Sequence, residues 1–510
     1  MDAGVQLGDV FVPHAELMLR AAKVARGLDA LGVKRKDAVA IMMRNDVAFL
    51  ETSIAVRMLG AYPVPMNWHL APDEAAYILS DCGAKVLIAH DELLHAMGTS
   101  VPDSLTQLIV VPTPEYVATA YGFDTASIPV PDDAIAYEAW RDEQEPWDQA
   151  PPTETASMIY TSGTTGQPKG VRREEATPEQ YQQTVMAVGN ILGVQPGTRT
   201  VIPAPLYHSA PNAYAQYAVL LENFMVIQAR FDAEELLQII DRYKITRLQM
   251  VPTMFVRLLK LPEEVRNRYD VSSLEYVIHA AAPCPPKIKK AMIDWWGQII
   301  NEYYGSTEMS AVTLATAQDA LDRPGTVGKP VPGATVKILN KDGTERAAGE
   351  IGTVYGKVEY VTDFTYAGDD EKRKSIEMNG LITCGDIGYF DKDGYLFLCD
   401  RATDMIISGG VNIYPAEIEA VLIECKGVRD CAVFGIPSDD FGESVCAVIE
   451  LEEGAELSAE DIQAYLGERI ARYKVPRTVE FRTDLPREDS GKLFKRKLRQ
   501  PYWDKAGRSI

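Results

Sequence analysis

The chain has 510 residues, 46% of them hydrophobic, and a formal net charge of -22. A single core stops growing at roughly 250–300 residues, so at least two domains are expected. The acidic balance argues against nucleic acid as the main partner, and seven scattered cysteines without a CxxC pair argue against a disulfide framework or a cysteine-held metal.

No basic segment followed by an apolar run opens the chain, so no signal peptide is expected. Apolar residues at helical spacing predict a helix over 15–32, closed by Gly32. A strand over 38–43, a helix over 48–59 ending at Gly60, and an extended segment over 62–66 follow. Short apolar strands then recur at 85–89, 107–111, 199–202, 224–228, 247–251, 276–280 and 299–303. This alternation predicts an α/β fold with largely parallel sheets. The uncharged stretch from Thr200 to Leu221 carries Pro203, Pro205 and Pro211 with His208, Asn212 and Gln216. It is too polar and too broken for a bilayer span of about 20 apolar residues. A soluble, cytoplasmic protein is expected.

After about residue 325 the strands shorten and Asp-Gly turns separate them, at Asp342-Gly343 and Asp393-Gly394, which predicts an antiparallel β section. From Arg401 a new unit begins, with helices expected over 415–425 and 459–472 and strands over 431–434 and 445–451. The expected division is a large domain over 1–400 and a small, mobile C-terminal α+β domain over 401–510, with a hinge near 400–404.

The sharpest local signal is Tyr160-Thr-Ser-Gly-Thr-Thr-Gly-Gln-Pro-Lys-Gly-Val171. Its hydroxyl and glycine residues, Thr161, Ser162, Gly163, Thr164, Thr165 and Gly166, suit a loop whose backbone N–H groups cradle phosphate, and Lys169 adds positive charge. The spacing is not that of a Walker A loop, because only two residues separate Gly163 from Gly166 and Gly170 follows the lysine.

Further segments follow in order: Pro205-Leu-Tyr-His-Ser209, Ala281-Ala-Pro283, Tyr303-Tyr-Gly-Ser-Thr-Glu308, Thr383-Cys-Gly-Asp386, Asp400-Arg401, Ile407-Ser-Gly-Gly410 and Pro486-Arg-Glu-Asp-Ser-Gly-Lys492. Together they resemble the adenylate-forming superfamily, in its acyl-CoA synthetase branch, over nearly the whole chain. The resemblance implies ATP-dependent activation of a carboxylic acid as acyl-AMP, then transfer to coenzyme A. It implies nucleotide contacts from the phosphate loop, Ala281, Ala282, Pro283, Tyr303, Gly305 and Thr307, with Tyr304 as a stacking face for adenine. Asp386 and Arg401 would hold the ribose, Glu308 and Thr165 would bind Mg²⁺, and Lys492 would be the catalytic lysine. The neighbouring Lys495, Arg496, Lys497 and Arg499 read as a solvated helix face.

Thr403 stands at the hinge position, where many relatives carry Lys or Asp. His208 occupies the place where amino-acid-activating relatives keep an Asp, so amino-acid substrates are disfavoured and His208 is a candidate gate between acyl and thiol sites. Ser209, Ala213 and Ala280 are expected to line a roomy apolar acyl pocket with no charged partner. Ser408, Gly409, Gly410, Lys474 and Arg477 are candidate coenzyme A contacts, the glycines because they let a narrow chain pass close to backbone. The expected acid is fatty or bulky and apolar, with a cinnamic- or benzoate-type aryl acid as the alternative. A carrier protein or luciferase-like oxygen acceptor stays open. The absence of an appended carrier domain before Ile510 favours a free-standing ligase, and a homodimer is compatible with the chain.

Overall fold

The computed structural model describes residues 2–97, 102, 105–125, 131, 134–151, 155–161, 168–367, 369–438, 440–487 and 493–506. The parallel strands expected in the first part form two sheets. One places Tyr62–Pro65, Ala38–Met42, Val86–His90, Gln107–Val111 and Ile135–Ala136 side by side, all parallel. Every residue of Ala38–Met42 and Val86–His90 is buried, as unbroken apolar runs require when both faces are covered. The other sheet sets Arg199–Ile202, Phe224–Ile227 and Gly4–Leu7 parallel, with Val10–Pro13 antiparallel at the edge. Helices His14–Ala30 and Val47–Met58 supply Leu17, Leu28, Phe49 and Ile54 to a core shared with both sheets. Gly32 adopts φ 88 just past the first helix, a left-handed conformation that ends it.

A third sheet of eleven strands positions the site. Arg247–Met250, Tyr276–His279 and Ile300–Ser306 run parallel. The change to antiparallel pairing comes earlier than the expected residue 325. Ile300–Ser306 turns directly into Ser310–Ala315, with Ser310 at φ 63 closing the hairpin. Thr326–Pro330, Leu396–Arg401, Asp386–Phe390 and Gly352–Val358 then continue the sheet antiparallel.

After Arg401 the chain leaves this sheet. Ile406–Ser408, Val411–Ile413, Val428–Ser438, Gly442–Leu451 and Thr478–Arg482 form a separate sheet, packed on helices Pro415–Leu422 and Ala459–Gly467. The second helix stops five residues short of the expected end, and Arg472–Lys474 form a 3₁₀ turn instead. The two units touch through Lys287 on Glu424 and Lys260 on Glu452 at 3.3 Å.

Lys495 and Arg499 are not on a solvated face. Their side chains are 14% exposed. Lys495 pairs with Glu419 at 2.9 Å; Arg499 reaches Asp404 at 3.3 Å and donates to the Thr403 carbonyl at 2.9 Å. The carboxylates of Glu419 and Asp404 draw these two cations inward, while Arg496 and Lys497 stay exposed. Among the described residues no helix is long and apolar enough to cross a membrane.

Candidate active site

Strand Ile159–Thr161 pairs antiparallel with Lys169–Arg173, so Thr161 and Lys169 are ladder partners. Ser162, Gly163, Thr164, Thr165 and Gly166 lie outside the described residues, as does Lys492. Gly170 is required by close approach: a Cβ there would sit 2.7 Å from the Tyr160 ring, whose hydroxyl donates to Asp81 at 2.6 Å. Strand Phe364–Tyr366 pairs on the other side. Its Tyr366 hydroxyl donates to Glu308 Oε1 at 3.1 Å, and Lys169 Nζ lies 5.6 Å from the Tyr366 ring. Burial, and then the neighbouring Lys372 charge, hold the Lys169 ammonium below its ordinary pKa. Lys169 and Glu308 are thus brought to one place from segments far apart in sequence.

The hairpin after Tyr303 depends on Gly305, where a Cβ would meet the Ser310 carbonyl oxygen at 1.9 Å. Its turn, Thr307–Glu308, is fixed by a residue that sequence reading missed. The Arg173 guanidinium donates to the carbonyls of Thr307 at 2.7 Å, Glu308 at 2.9 Å and Thr362 at 2.8 Å. Burial lowers its pKa to about 10. The signal was present: Arg173 alternates inward with Val171 on the strand that leaves the phosphate loop. Tyr366 carried no comparable signal, because nothing in its neighbourhood marks a motif.

Tyr304 is buried, and its hydroxyl donates to Asp386 Oδ2 at 2.8 Å. The same oxygen receives the Cys384 thiol at 3.0 Å, and Arg401 Nε lies 3.4 Å from Oδ1. Asp386 and Arg401 are cross-strand register partners. The structure therefore gathers Tyr304, Asp386 and Arg401 as one hydrogen-bonded group. Burial, with Asp386 alongside, pushes the Cys384 thiol well above its ordinary range, so it stays a thiol.

Ala281, Ala282 and Pro283 form the loop after strand Tyr276–His279. Ala281 is held at φ 75, a conformation that costs a non-glycine residue roughly 1–2 kcal/mol. Beneath this loop Lys289 contacts Glu302, the residue before Tyr303, with side chains only 6% and 7% exposed. His279 Nε2 lies 3.9 Å from the same carboxylate.

A cleft of about 230 Å³ opens beside Thr307. Of the four residues expected in the acyl pocket, Ser209 and Ala213 line this cleft; His208 and Ala280 are not among its lining residues. His208 instead precedes the helix Ser209–Leu220, its ring 4.2 Å from Tyr207, and Ala280 is buried at the strand end. Arg57 and Arg173 line the cleft with Ser157, Asn212, Gln216 and Thr184. Small alanines on the helix were legible; the polar wall comes from other strands and helices brought alongside.

In the small unit Gly409 and Gly410 adopt φ 57 and φ 80 and turn the hairpin between Ser408 and Val411. Two consecutive positive φ values suit Gly-Gly. Gly409 packs against Phe441, over which Arg477 lies at 4.0 Å, so these candidate contacts share one patch with exposed Ile407 and Val411. Lys474 is drawn elsewhere and pairs with Glu417 at 2.6 Å.

A family model described as "AMP-binding enzyme" matches residues 8–363, and one described as "AMP-binding enzyme C-terminal domain" matches residues 417–492. The chain is 31% identical to a long-chain-fatty-acid–CoA ligase of Mycobacterium tuberculosis, over 97% of this chain and 94% of that protein. Among solved structures, an anthranilate CoA ligase in complex with anthranoyl-AMP superposes with a TM-score of 0.85 at 28% identity, covering 99% of this chain and 95% of that one. An amide bond synthetase from Marinactinospora thermotolerans gives a TM-score of 0.81 at 26% identity, covering 98% and 97%.

Proposed function

From the premise that the chain belongs to the AMP-binding enzyme family and is an AMP-forming acid–thiol ligase, we propose how its residues divide the work and which acids it takes. The acid's carboxylate, held at Thr307 in the cleft, attacks the α-phosphate of ATP, and the bond to pyrophosphate breaks. The coenzyme A thiol then attacks the acyl carbonyl and releases AMP. Positioning and charge stabilisation suffice for the first step without a covalent enzyme intermediate.

The supporting observation is the meeting of two regions at Thr307. On one side lie Glu308, Lys169 and the Tyr304–Asp386–Arg401 group; on the other lies the cleft lined by Ser209 and Ala213. The ribose and adenine fall to Asp386, Arg401, Tyr304 and the Ala281–Pro283 loop. The phosphates fall to Thr161–Gly166 and Lys169. Among the described residues Glu308 uses Oε1 for Tyr366 and leaves Oε2 without a hydrogen-bond partner, which fits a magnesium ligand, with Thr165 as its companion. Bound Mg²⁺ would offset phosphate charge as a Lewis acid.

The domain boundary falls at 400/401, and Thr403 lies in the pivot about which the small unit rotates. Lys492 serves adenylation and departs; the Ser408–Gly410 patch with Arg477 and Phe441 then guides the thiol. The relative that acts on long-chain fatty acids and the neighbour that acts on anthranilate bracket the acid as apolar or aryl. The likeness to an amide bond synthetase favours, as a second reading, an amine as an alternative acyl acceptor. A cytoplasmic location, where ATP and coenzyme A are supplied, accompanies the reading.

Two measurements test it. A panel of carboxylic acids scored for AMP release should give an acid whose turnover rises with coenzyme A and yields the thioester; release that responds to an amine but not to coenzyme A would favour the second reading. Lys492→Ala should abolish adenylation while transfer from supplied acyl-AMP survives. Equal loss of both steps would remove the division of labour.

A further inference from the structure

The helix Ser209–Leu220 turns Ser209, Asn212, Ala213, Gln216, Tyr217 and Leu220 toward the cleft, one face at helical spacing. Several polar groups around it are partnered. Asn212 Nδ2 donates to the Leu206 carbonyl at 3.0 Å, and its Oδ1 accepts the Ser157 hydroxyl at 3.0 Å. Ser157 Oγ in turn accepts Arg57 Nη2 at 3.2 Å. Thr184, on the facing helix Pro178–Leu192, donates to the Tyr360 carbonyl at 2.6 Å. Gln216 Nε2 is shut off from solvent and has no hydrogen-bond partner among the described residues. Buried polar atoms are almost always paired, so an orphaned amide in the wall of a ligand cleft points to the ligand as its partner.

Resting on the reading of this cleft as the acyl site, we propose that Gln216 is a specificity-determining residue. Its Nε2 donates to an oxygen that the acid carries far from its carboxylate: a hydroxyl, ether or keto oxygen. Seven residues separate Gln216 from Ser209, which places the amide about 10 Å along the helix from the Thr307 end. Leu220, 47% exposed, lines the same face beyond it and marks the outer end of the cleft. The preferred acid therefore has an apolar or aryl body with an oxygen function toward that outer end. A plain alkyl chain leaves the amide unpaired, and sites built to hydrogen-bond a substrate reject analogues that lack the group.

The experiment compares kcat/KM for AMP release with matched acids: 10-hydroxydecanoic against decanoic acid, and 3-(4-hydroxyphenyl)propanoic against 3-phenylpropanoic acid. The wild type should favour at least one oxygenated member by about 10-fold or more. Gln216→Leu and Gln216→Met should erase that preference by losing kcat/KM on the oxygenated acid, with thermal unfolding followed to check that each variant folds. A preference that survives in both variants, or a wild type that favours the parent acids, overturns the proposal. Ala213→Trp, which fills the cleft, reports on the underlying reading. If it leaves every acid unaffected, or if no acid releases AMP in the wild type, the acyl-site reading fails and the proposal falls with it.

Discussion

The buried contact between Lys289 and Glu302 ties together the two walls of the proposed nucleotide site. Lys289 sits on helix Pro286–Trp296, which begins directly after the Ala281–Pro283 loop, and Glu302 precedes Tyr303 on the strand that ends in the Thr307 turn. With both side chains under a tenth exposed, neither charge is solvated, and burial pushes the Glu302 carboxyl above its ordinary pKa despite the ammonium beside it. Replacing one partner strands a buried charge, which typically costs 3–5 kcal/mol, whereas replacing both by apolar groups of similar volume is often neutral. Against a total stability of about 5–15 kcal/mol, the single loss is large. Glu302→Gln and Lys289→Met should therefore each lower the urea stability of the large unit by about 3–5 kcal/mol, while Lys289→Met/Glu302→Leu recovers all but about 1 kcal/mol. Fluorescence of Trp295 and Trp296 on the same helix is a local probe of the transition. The single variants should also raise the KM for ATP, because loop and strand lose their common anchor. Additive losses in the double variant, or single losses below about 1 kcal/mol, would show that the pair does not act as a coupled unit.

The neighbouring His279 gives a pH signature. Burial, with Lys289 adding to it, holds its imidazole well below the ordinary value of about 6.5. Protons then bind the unfolded chain first, so its contribution to stability is full above about pH 6.5 and lost as pH falls toward the depressed folded value. Wild-type stability should decline through that window by up to about 1.4 kcal/mol per pH unit more than His279→Leu does, as measured by urea titration at each pH. At the proposed hinge, Arg499→Ala removes the contacts to Asp404 and the Thr403 carbonyl. It should change thioester formation several-fold while acid-dependent ATP–pyrophosphate exchange moves less, read by single-turnover kinetics of the two steps.

What could be read from the chain follows how local each feature is. The phosphate segment, the Tyr303–Glu308 run and the Gly-Gly hairpin carry their chemistry in consecutive residues, so they stood out without a structure. The parallel strands were legible because runs such as Ala38–Met42 are apolar throughout. Alternation with Val171 showed which way Arg173 points but not what it does there, since its role lies in three carbonyls 134, 135 and 189 residues away. The polar wall of the cleft was missed for the same reason: Arg57, Ser157 and Asn212 meet only once two helices and the segment leading into strand Ile159–Thr161 come together. Lys495 and Arg499 looked like solvated charges because composition says nothing of Glu419, Asp400 and Asp404 waiting opposite them.

The register of Asp386 with Arg401 bears on leakage. Arg401 is the last residue of a strand clamped into the large sheet, and the chain departs for the small unit within the next few residues. A rotation that begins after Arg401 turns one unit without dragging the residues proposed to grip the ribose. The acyl-adenylate, a hydrolysable mixed anhydride, would stay seated while its surroundings change, so the enzyme could exchange one set of tools for another without letting the intermediate escape to water.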